Sequence, residues 1–554
     1  MVKFDTGPYR KRLLHLRRDR DRYESDWRRI REYLYPDSGL WLVDDTGRER
    51  DGDRDDDKIL NDAGGKALDA LARGLHGGLT SPSRDWLRIT MPHESAQEFG
   101  TVRVWLDQVR EMMRDVMARS NFYGALDSLY REIGAFGIGT MLVLEDNDTV
   151  IRCEPLSVGQ YYVAQNSKKR PDTLYRRLSM TGIQMRDEFG EESLSDSVRS
   201  ALSSGRLDDS FIVIHCVEHE GNKRKDDGYK LDFPWRSIWF EEKADDKNRV
   251  LRLSGYREQP FVAPRWDVDS TNVYGRGPGR RSLPDVKQLQ VLEKDKLYAA
   301  ELLIRPPVQA SASLENEAFN LIPGGITFTD DPSGLQAVYK TEFRIDVAHA
   351  IIKELEVSIQ KSFHVDLFMS MAAQEKTMTA REVAERSQEK LVMLGPVLER
   401  LQGEMLDPIV ARIYGIMERK GMIPPVPDEI AGVPLKIEYI GMLAQAQRLV
   451  GLNPMEQYSG FVAQLAQLEP TVLDKMDFDQ LVDEYAHDLG VPASLVRSDD
   501  AVAELRAQRA QAQQMQQMEE NAHRTLDGAK TASEIKLPGN ESLLSGLLGG
   551  MGSV

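Results

Sequence analysis

The residues best suited to metal chemistry lie in the segment His215-Cys216-Val217-Glu218-His219. Histidine, cysteine and glutamate are the residue types that bind transition metals. However, Phe211–Val217 is rich in β-formers, and on a strand His215 and His219 share one face while Cys216 points to the other. No second group of ligands follows nearby, so we interpret the segment as a structural strand and expect no metal.

Motifs that would indicate an enzyme are incomplete. A phosphate-binding loop requires Gly-x-x-x-x-Gly-Lys-Ser/Thr, but around Gly64-Gly65-Lys66 the first glycine position is Leu60 and the lysine is followed by Ala67. The Gly275-x-Gly277-x-Gly279 segment lacks the dinucleotide-binding spacing and contains Pro278, so it predicts a turn. No Gly-x-Ser-x-Gly elbow is present. We therefore expect no catalysis and no cofactor.

Alternating aspartates at Asp51, Asp53, Asp55 and Asp57 are similar to a calcium-binding loop. Asp56, however, stands where an EF-hand loop requires glycine. We interpret this stretch as a solvated acidic loop.

The composition indicates a soluble protein with two to four domains, because 554 residues are too many for one core. Its 72 Lys and Arg against 89 Asp and Glu give a net charge of −17, which argues against wrapping nucleic acid. An acidic wall could still surround DNA and let it slide. The two cysteines favour a reducing compartment, and we expect neither a secretory signal nor a membrane span.

Periodicity predicts an α+β organisation. Apolar spacing predicts helices over residues 9–35, 63–79, 102–119 and 122–136, the last ended by Gly137. From Thr140 to Tyr274 short β-like runs follow, interrupted by a helical segment near residues 183–188.

The segment from residue 274 to about 416 predicts an extended helical hairpin. Helical runs over Leu283–Ile304 and Phe343–Met371 bracket an insert with many Pro and Gly residues, and a polar turn leads to a third helix. Such a hairpin cannot bury itself alone and needs copies of itself. In the second run the apolar residues recur at intervals of four: Val347, Ile351, Leu355, Ile359, Phe363 and Leu367.

The third helix has a capping box at Thr379 and Glu382. Prolines at Pro396 and Pro408 predict kinks or breaks. Its apolar residues continue the pattern of the hairpin: Leu394, Leu398, Leu401, Met405 and Ile409.

The order of these motifs resembles the portal, or head-to-tail connector, proteins of short-tailed phages (podoviruses). The resemblance extends from about residue 8 to about residue 500. It is carried by Tyr274–Pro278, Leu283–Val286, Pro306-Pro307, Pro323–Gly325, Met378–Val383, Leu394-Gly395-Pro396, Arg400-Leu401 and Glu404.

The resemblance implies a predominantly helical α+β portal fold, in which identical subunits, typically twelve, form a ring with a central channel. It implies a wing (1–280), two stem helices (281–305 and 343–371), a clip (306–342), a tunnel loop (372–378), a kinked helix with return to the wing (379–440), and a crown with a barrel helix (441–521). The Gly- and Ser-rich residues 522–554 predict a disordered tail.

The resemblance also implies partners. Double-stranded DNA would pass through the channel in packaging and ejection, the clip would dock the terminase large subunit and later the tail adaptor, and the outer surface would meet major capsid and scaffolding proteins. The protein would assemble in the host cytoplasm and reside at a capsid vertex of the virion.

Three sets of residues are implied as sites. The DNA-facing tunnel loop has Gln374, Glu375, Lys376 and Thr377, with Lys376 as a phosphate contact. Cations of the stem that could face the channel are Arg280, Arg281, Lys287, Lys294 and Lys296. The docking surface of the clip includes Pro323, Gly324, Gly325 and Phe328. Alternatives are a tail adaptor or internal core protein, which would lack the bracketed insert, and a packaging ATPase, which would need the missing phosphate loop.

Overall fold

The computed structural model describes residues 4–38, 58–91, 100–222, 229, 231–243, 249–269, 272–304, 308–310, 335–337, 345–372, 393–430, 432–444, 458–488, 497 and 502–518. The chain divides into two compact units, Met1–Phe461 and Val462–Val554.

The described helices are α1 (Gly7–Tyr33), α2 (Ala63–Leu79), α3 (Gly100–Arg119), α4 (Phe122–Phe136), α5 (Gly182–Phe189), α6 (Asp196–Ser203), α7 (Pro278–Ile304), α8 (Ile345–Ser362), α9 (Val365–Ala372), α10 (393–401), α11 (Asp407–Arg419), α12 (458–466), α13 (Phe478–Asp488) and α14 (502–518). The described strands are β1 (Leu87–Thr90), β2 (Thr140–Glu145), β3 (Ile151–Leu156), β4 (Tyr161–Gln165), β5 (Pro171–Thr181), β6 (Ser210–His219), β7 (Trp235–Glu241), β8 (Arg252–Tyr256), β9 (Phe261–Val262), β10 (Val308–Ala310), β11 (Leu335–Ala337) and β12 (Lys436–Tyr439). The predicted α+β, mainly helical class is confirmed.

The first unit contains an antiparallel five-stranded sheet in the order β4-β5-β6-β7-β8. One face, with Tyr162, Cys216 and Phe240, packs against Tyr9 and Leu13 of α1. The opposite face packs against α5 and α6 through a cluster that includes Met185, Val198, Val213 and Trp239. Both faces are covered because successive residues of each strand point in opposite directions.

Two smaller pairings bring distant parts of the chain together. The second sheet has the order β3-β2-β9, and β1 pairs antiparallel with β12. The β1–β12 pair brings the chain after α11 back to the α2–α3 region, where Ile430, Tyr439 and Leu443 join the main core.

The helices before the sheet begin and end close to where their sequence patterns predict. Helix α2 has the predicted bounds, and α4 ends at Gly137, whose φ of 82° is in the left-handed region that favours glycine. The buried residues of α1 recur at helical spacing, and α1 ends shortly before Pro36.

The second helix of the hairpin differs from its prediction. Instead of one helix over Phe343–Met371, the chain forms α8 and α9, separated at His364, whose φ is 53°. The break lets the Phe368 ring lie directly on the backbone of α2 at Gly74, where an added Cβ would be 2.2 Å from the ring. Tertiary packing therefore overrides the continuous apolar stripe.

The third helix is irregular near Pro408, as predicted. A π-helical turn, Gln402–Leu406, lies between α10 and α11, and Pro408 follows within the first turn of α11. Proline lacks an N–H and crowds the carbonyl four residues earlier, which favours the wider turn. Within residues 393–401 the helix continues through Pro396. The predicted apolar positions Leu394, Leu398, Leu401, Met405 and Ile409 are all buried.

Two buried arginines fasten this third helix to the sheets. The Arg265 guanidinium donates to Glu404 in the π-helical turn, at 2.6 Å from Nη2 to Oε1. The Arg412 side chain is 1 % exposed and donates to Glu258 at 2.6 Å and to the Val143 carbonyl at 3.3 Å. Buried charges are tolerated when they are paired in this way.

The described helices include none that is both long and apolar enough for a membrane span.

A buried carboxyl group of α4 makes stability depend on pH. Glu132 accepts a hydrogen bond from the Val158 backbone N–H at 3.0 Å and lies 3.5 Å from the Ser38 hydroxyl. Burial raises the pKa of Glu132 from 4.5 to about 8, and the hydrogen bond from Val158 opposes part of that rise.

We predict that Glu132→Gln removes this pH dependence. The folded-state pKa lies above the unfolded value, so the unfolded chain loses this proton first as pH rises. The stability of the wild type therefore falls between about pH 4.5 and about pH 8 and is unaffected by this group above that range. As pH rises through this window, the melting temperature of the variant should increase relative to that of the wild type. Glu192→Gln, at an exposed position, is the control, and parallel profiles for Glu132→Gln and the wild type would contradict the prediction.

Candidate functional site

The candidate site is the hairpin of α7 and α8 together with its base, because the sequence analysis predicts that these elements line a channel. The two helices pack against each other, and the first half of α7 also contacts α1, α2 and α4. Leu283, Val286 and Leu289 of α7 are buried in the main core. Helix α7 begins at Pro278, five residues earlier than the predicted run, since proline suits the first helical position.

The Tyr274–Gly279 segment is a close backbone junction. An added Cβ would lie 2.2 Å from the Gly137 carbonyl oxygen at Gly275, 2.8 Å from the Gly137 nitrogen at Gly277, and 2.3 Å from the Ala135 carbonyl oxygen at Gly279. Real Cβ atoms do not approach backbone atoms so closely. The three glycines are thus needed for α7 to leave directly from the end of α4.

Tyr274 fastens the same junction from its other side. Its ring is buried against Tyr23 and Trp27 of α1, with ring centroids 5.1 and 5.3 Å away. Its hydroxyl accepts a hydrogen bond from the Val163 N–H of β4 at 3.1 Å. The segment that carries the resemblance therefore joins α1, α4, β4 and α7.

A polar clasp closes the base of the hairpin. The Asn61 amide donates to Glu293 of α7 at 3.0 Å and to Glu356 of α8 at 2.9 Å. Gln290 accepts from the backbone N–H of Asn61 at 2.9 Å and donates to its carbonyl at 2.8 Å. The Ser358 hydroxyl of α8 also donates to Asp285 of α7 at 2.7 Å. Sequence reasoning missed Asn61, because one asparagine before a helix signals only a cap.

The remainder of the hairpin exposes large apolar side chains. We call them the hairpin apolar surface, and they have exposed fractions from 39 % at Ile351 to 78 % at Ile304. The full set is Val291, Leu297, Tyr298, Ile304, Val347, Ile351 and Val357. The predicted stripe of α8 thus begins exposed and becomes buried at Ile359, Phe363 and Leu367.

The predicted stem cations have different surroundings. Arg280 pairs with Asp26 at 2.9 Å and Arg281 with Asp267 at 3.0 Å, both at the base of the hairpin. The Lys287 ammonium lies 5.1 Å from the centre of the Tyr33 ring. Lys296 pairs with Glu293, and Lys294 is exposed.

Two of the predicted sites lie outside the described residues. These are the tunnel-loop residues Gln374, Glu375, Lys376 and Thr377, and the clip residues Pro323, Gly324, Gly325 and Phe328. Within the insert, β10 and β11 pair antiparallel, with Gln309 opposite Gln336.

His215 belongs to a structural strand, as predicted. Arg176 Nε donates to His215 Nδ1 at 3.0 Å, and the Ser237 hydroxyl lies 3.0 Å from Nε2. Burial, reinforced by Arg176, lowers the pKa of His215 well below its ordinary value. Both ring nitrogens are therefore engaged, and no metal-binding group of three His, Cys, Asp or Glu side chains occurs among the described residues. Residues 51–57, the alternating aspartates, lie outside the described residues.

A sequence model of the family described as "Bacteriophage head to tail connecting protein" matches residues 7–496. The chain belongs to this family. The match includes the Tyr274–Gly279 junction and both legs of the hairpin. The predicted resemblance is therefore confirmed.

Relatives with portal names cover nearly the whole chain. The chain is 36 % identical over 535 residues to the "Portal protein" of Salmonella phage epsilon15, covering 95 % of each protein. It is 37 % identical over 526 residues to the "Probable portal protein" of Bordetella phage BPP-1, covering 94 % of this chain and 93 % of that protein. A solved structure titled "Virion of native gene transfer agent (GTA) particle" is similar over 78 % of this chain and 90 % of that chain, with a TM-score of 0.32 and 9 % identity.

Head-to-tail connecting proteins are structural components of the virion at the junction of head and tail, not enzymes. The prediction of a non-enzymatic connector is confirmed on this ground.

We predict that Gly277→Ala destabilises the junction of this connector by about 1–3 kcal/mol or more, because the new methyl group would overlap backbone that cannot move aside. The measurement is the shift of the chemical unfolding midpoint. Gly124→Ala is the control, since Gly124 lies in α4 with no atom within 4 Å of an added Cβ. That change should leave stability equal or raise it by up to about 1 kcal/mol. Equal midpoints for Gly277→Ala and the wild type would show that the close approach is not needed.

Proposed function

We propose that the protein is the portal at one capsid vertex of a short-tailed phage, forming a ring of identical subunits, typically twelve, around a channel for double-stranded DNA. The observation that carries this proposal is the hairpin. Hydrogen bonds within one chain hold its two helices together at the base, whereas its apolar surface is exposed to solvent in a single subunit. The names of the two full-length relatives favour a portal over a tail adaptor, an internal core protein or a packaging ATPase.

The hairpin apolar surface supports assembly with other copies. A group of large exposed apolar residues on adjacent helices is a feature of protein interaction sites. In a closed ring each subunit offers one flank of its hairpin to the next, so every copy has its apolar residues covered. In this proposal α7 and α8 are the stem, and the paired β10 and β11 belong to the clip.

The proposed channel would carry DNA during packaging, retention and ejection. The polar segment 372–378 follows α9 in the order expected for a tunnel loop, and a ring would repeat Lys376 at one height around the DNA. Lysine contacts phosphate as a compact point charge. Lys287 and Lys294 of the stem are further candidates for facing the channel.

The remaining partners follow from the same proposal. The clip, including Pro323–Gly325 and Phe328, would dock the terminase large subunit first and the tail adaptor later. The wing and the outer stem would contact the major capsid and scaffolding proteins during assembly in the host cytoplasm.

We predict that Leu297→Glu combined with Ile304→Glu prevents ring formation while the subunit stays folded. Covering each large apolar side chain contributes about 1.5–3 kcal/mol, so losing two should weaken each subunit contact at least about a hundredfold. Sedimentation velocity and electron microscopy should show wild-type rings with a central hole and only small species for the variant.

Val104→Glu is the matched control for this experiment, because Val104 is 64 % exposed on α3, away from the hairpin. It should leave rings intact, and all three proteins should have the same far-ultraviolet circular dichroism spectrum, which checks that each subunit stays folded. Rings of normal abundance in the double variant would contradict the proposed role of the hairpin.

We predict that Lys376→Glu leaves rings intact but impairs packaging or retention of DNA, since the reversed charge would repel phosphate at every subunit. The DNA content of purified particles is the measurement. Lys66→Glu, at an exposed position of α2, makes the same change of charge elsewhere. Particles of Lys376→Glu with a normal DNA content would refute the tunnel-loop assignment.

A further inference from the structure

The solvent-facing side of α1 carries a row of cations that the proposed channel does not use. We call Lys11, Arg18, Arg22 and Arg29 the cationic stripe. Successive residues of a helix are turned by about 100°, so these four side chains begin within about 40° of one another around the axis. They lie opposite the buried side of α1, which includes Tyr9, Leu16 and Trp27.

Lys11, Arg18, Arg22 and Arg29 are all exposed, and in the part of the chain that the structure describes no ion pair joins any of them to a carboxylate. Four acidic residues of α1 pair with cations outside the stripe: Asp19 with His15, Glu24 with Arg20 and Arg28, Asp26 with Arg280, and Glu32 with Lys58. Exposed Asp21 lies about 80° from the centre of the stripe around the helix axis, and the exposed Arg28 and Arg17 lie farther away, at about 100–120°. The exposed central row of this helix is therefore cationic, although the whole chain has a net charge of −17.

We propose that the cationic stripe binds the phosphate backbone of double-stranded DNA without regard to sequence. The stripe extends about 27 Å along a straight helix, at about 1.5 Å per residue. Duplex DNA carries a phosphate charge about every 1.7 Å of its axis, so a straight row of cations meets phosphates in many registers. This surface lies on α1, not on the hairpin, and binding there does not require a ring.

The residue types favour DNA over an acidic protein. Three of the four residues are arginine, whose planar guanidinium binds two phosphate oxygens at once. An acidic protein would need carboxylates at matching intervals, whereas DNA supplies anions continuously. The stripe lacks aromatic side chains for stacking on bases, so the contact is to the backbone.

The test is binding of a fluorescent 30-base-pair duplex to the full-length protein over a series of salt concentrations, followed by anisotropy. The test variant replaces Lys11, Arg18, Arg22 and Arg29 with glutamine. The slope of log affinity against log salt is negative, and each lost phosphate contact makes it less steep by about 0.9. The four substitutions should therefore reduce its magnitude by about 3–4. Affinity at low salt should fall on the order of 10–100-fold.

The matched control replaces four other exposed arginines with glutamine: Arg73, Arg119, Arg186 and Arg206. It makes the same change in net charge and should keep both slope and affinity close to those of the wild type. Two duplexes of unrelated sequence should bind equally well.

An equal loss in the control would overturn the proposal, because net charge alone would then explain the binding. An unchanged slope in the test variant would also overturn it. Stripe-dependent binding of polyglutamate with no binding of duplex would assign the surface to an acidic protein instead.

Discussion

The close approach of two backbone segments, the end of α4 and the glycines before α7, sets the direction of the hairpin. At Gly275, Gly277 and Gly279 an added Cβ would overlap backbone atoms of Ala135 or Gly137. Backbone atoms cannot rotate aside as side chains can, so this contact leaves α7 little freedom in its starting position. Tyr274 then fixes the same segment to α1 and β4.

Along the hairpin the side chains change from polar residues that are hydrogen-bonded within the chain to apolar residues that are exposed to solvent. At the base, Asn61 joins the carboxylates of Glu293 and Glu356, so both legs are held within one chain. Farther along α7, Leu297 and Ile304 are exposed. Hydrogen bonds at the base fix the angle of the legs, whereas apolar association is non-directional and tolerates small rotations between neighbours. This division of interactions suits a hairpin that is held at its base within one chain and that would contact its neighbours by its sides in the proposed ring.

Sequence patterns predicted those features that depend on local chemistry. The bounds of α2 and α4, the strand at His215 and the irregularity near Pro408 follow from apolar period, glycine punctuation and proline geometry. The break at His364 could not be predicted, because it depends on Phe368 reaching Gly74 of α2. The pairing of β1 with β12 and the burial of Arg412 are also decided by residues far away in sequence. In the candidate site, the Tyr274–Gly279 motif was recognised, but its role needed the position of Gly137, and Asn61 gave no distinctive signal.

The net charge of the chain does not show where an anion could bind, because the cationic side chains of α1 point both into the fold and out to solvent. Arg20 points inward and donates to the carbonyls of Gly159 and Tyr161, at 2.7 and 3.0 Å. The Arg20 guanidinium is therefore occupied by partners within the fold, whereas the residues of the cationic stripe face solvent. A total of −17 is therefore a sum over faces of opposite sign. In the proposed portal, repulsion would let DNA slide and attraction would hold it, and the helical period separates the cations of α1 that build the fold from those that face solvent.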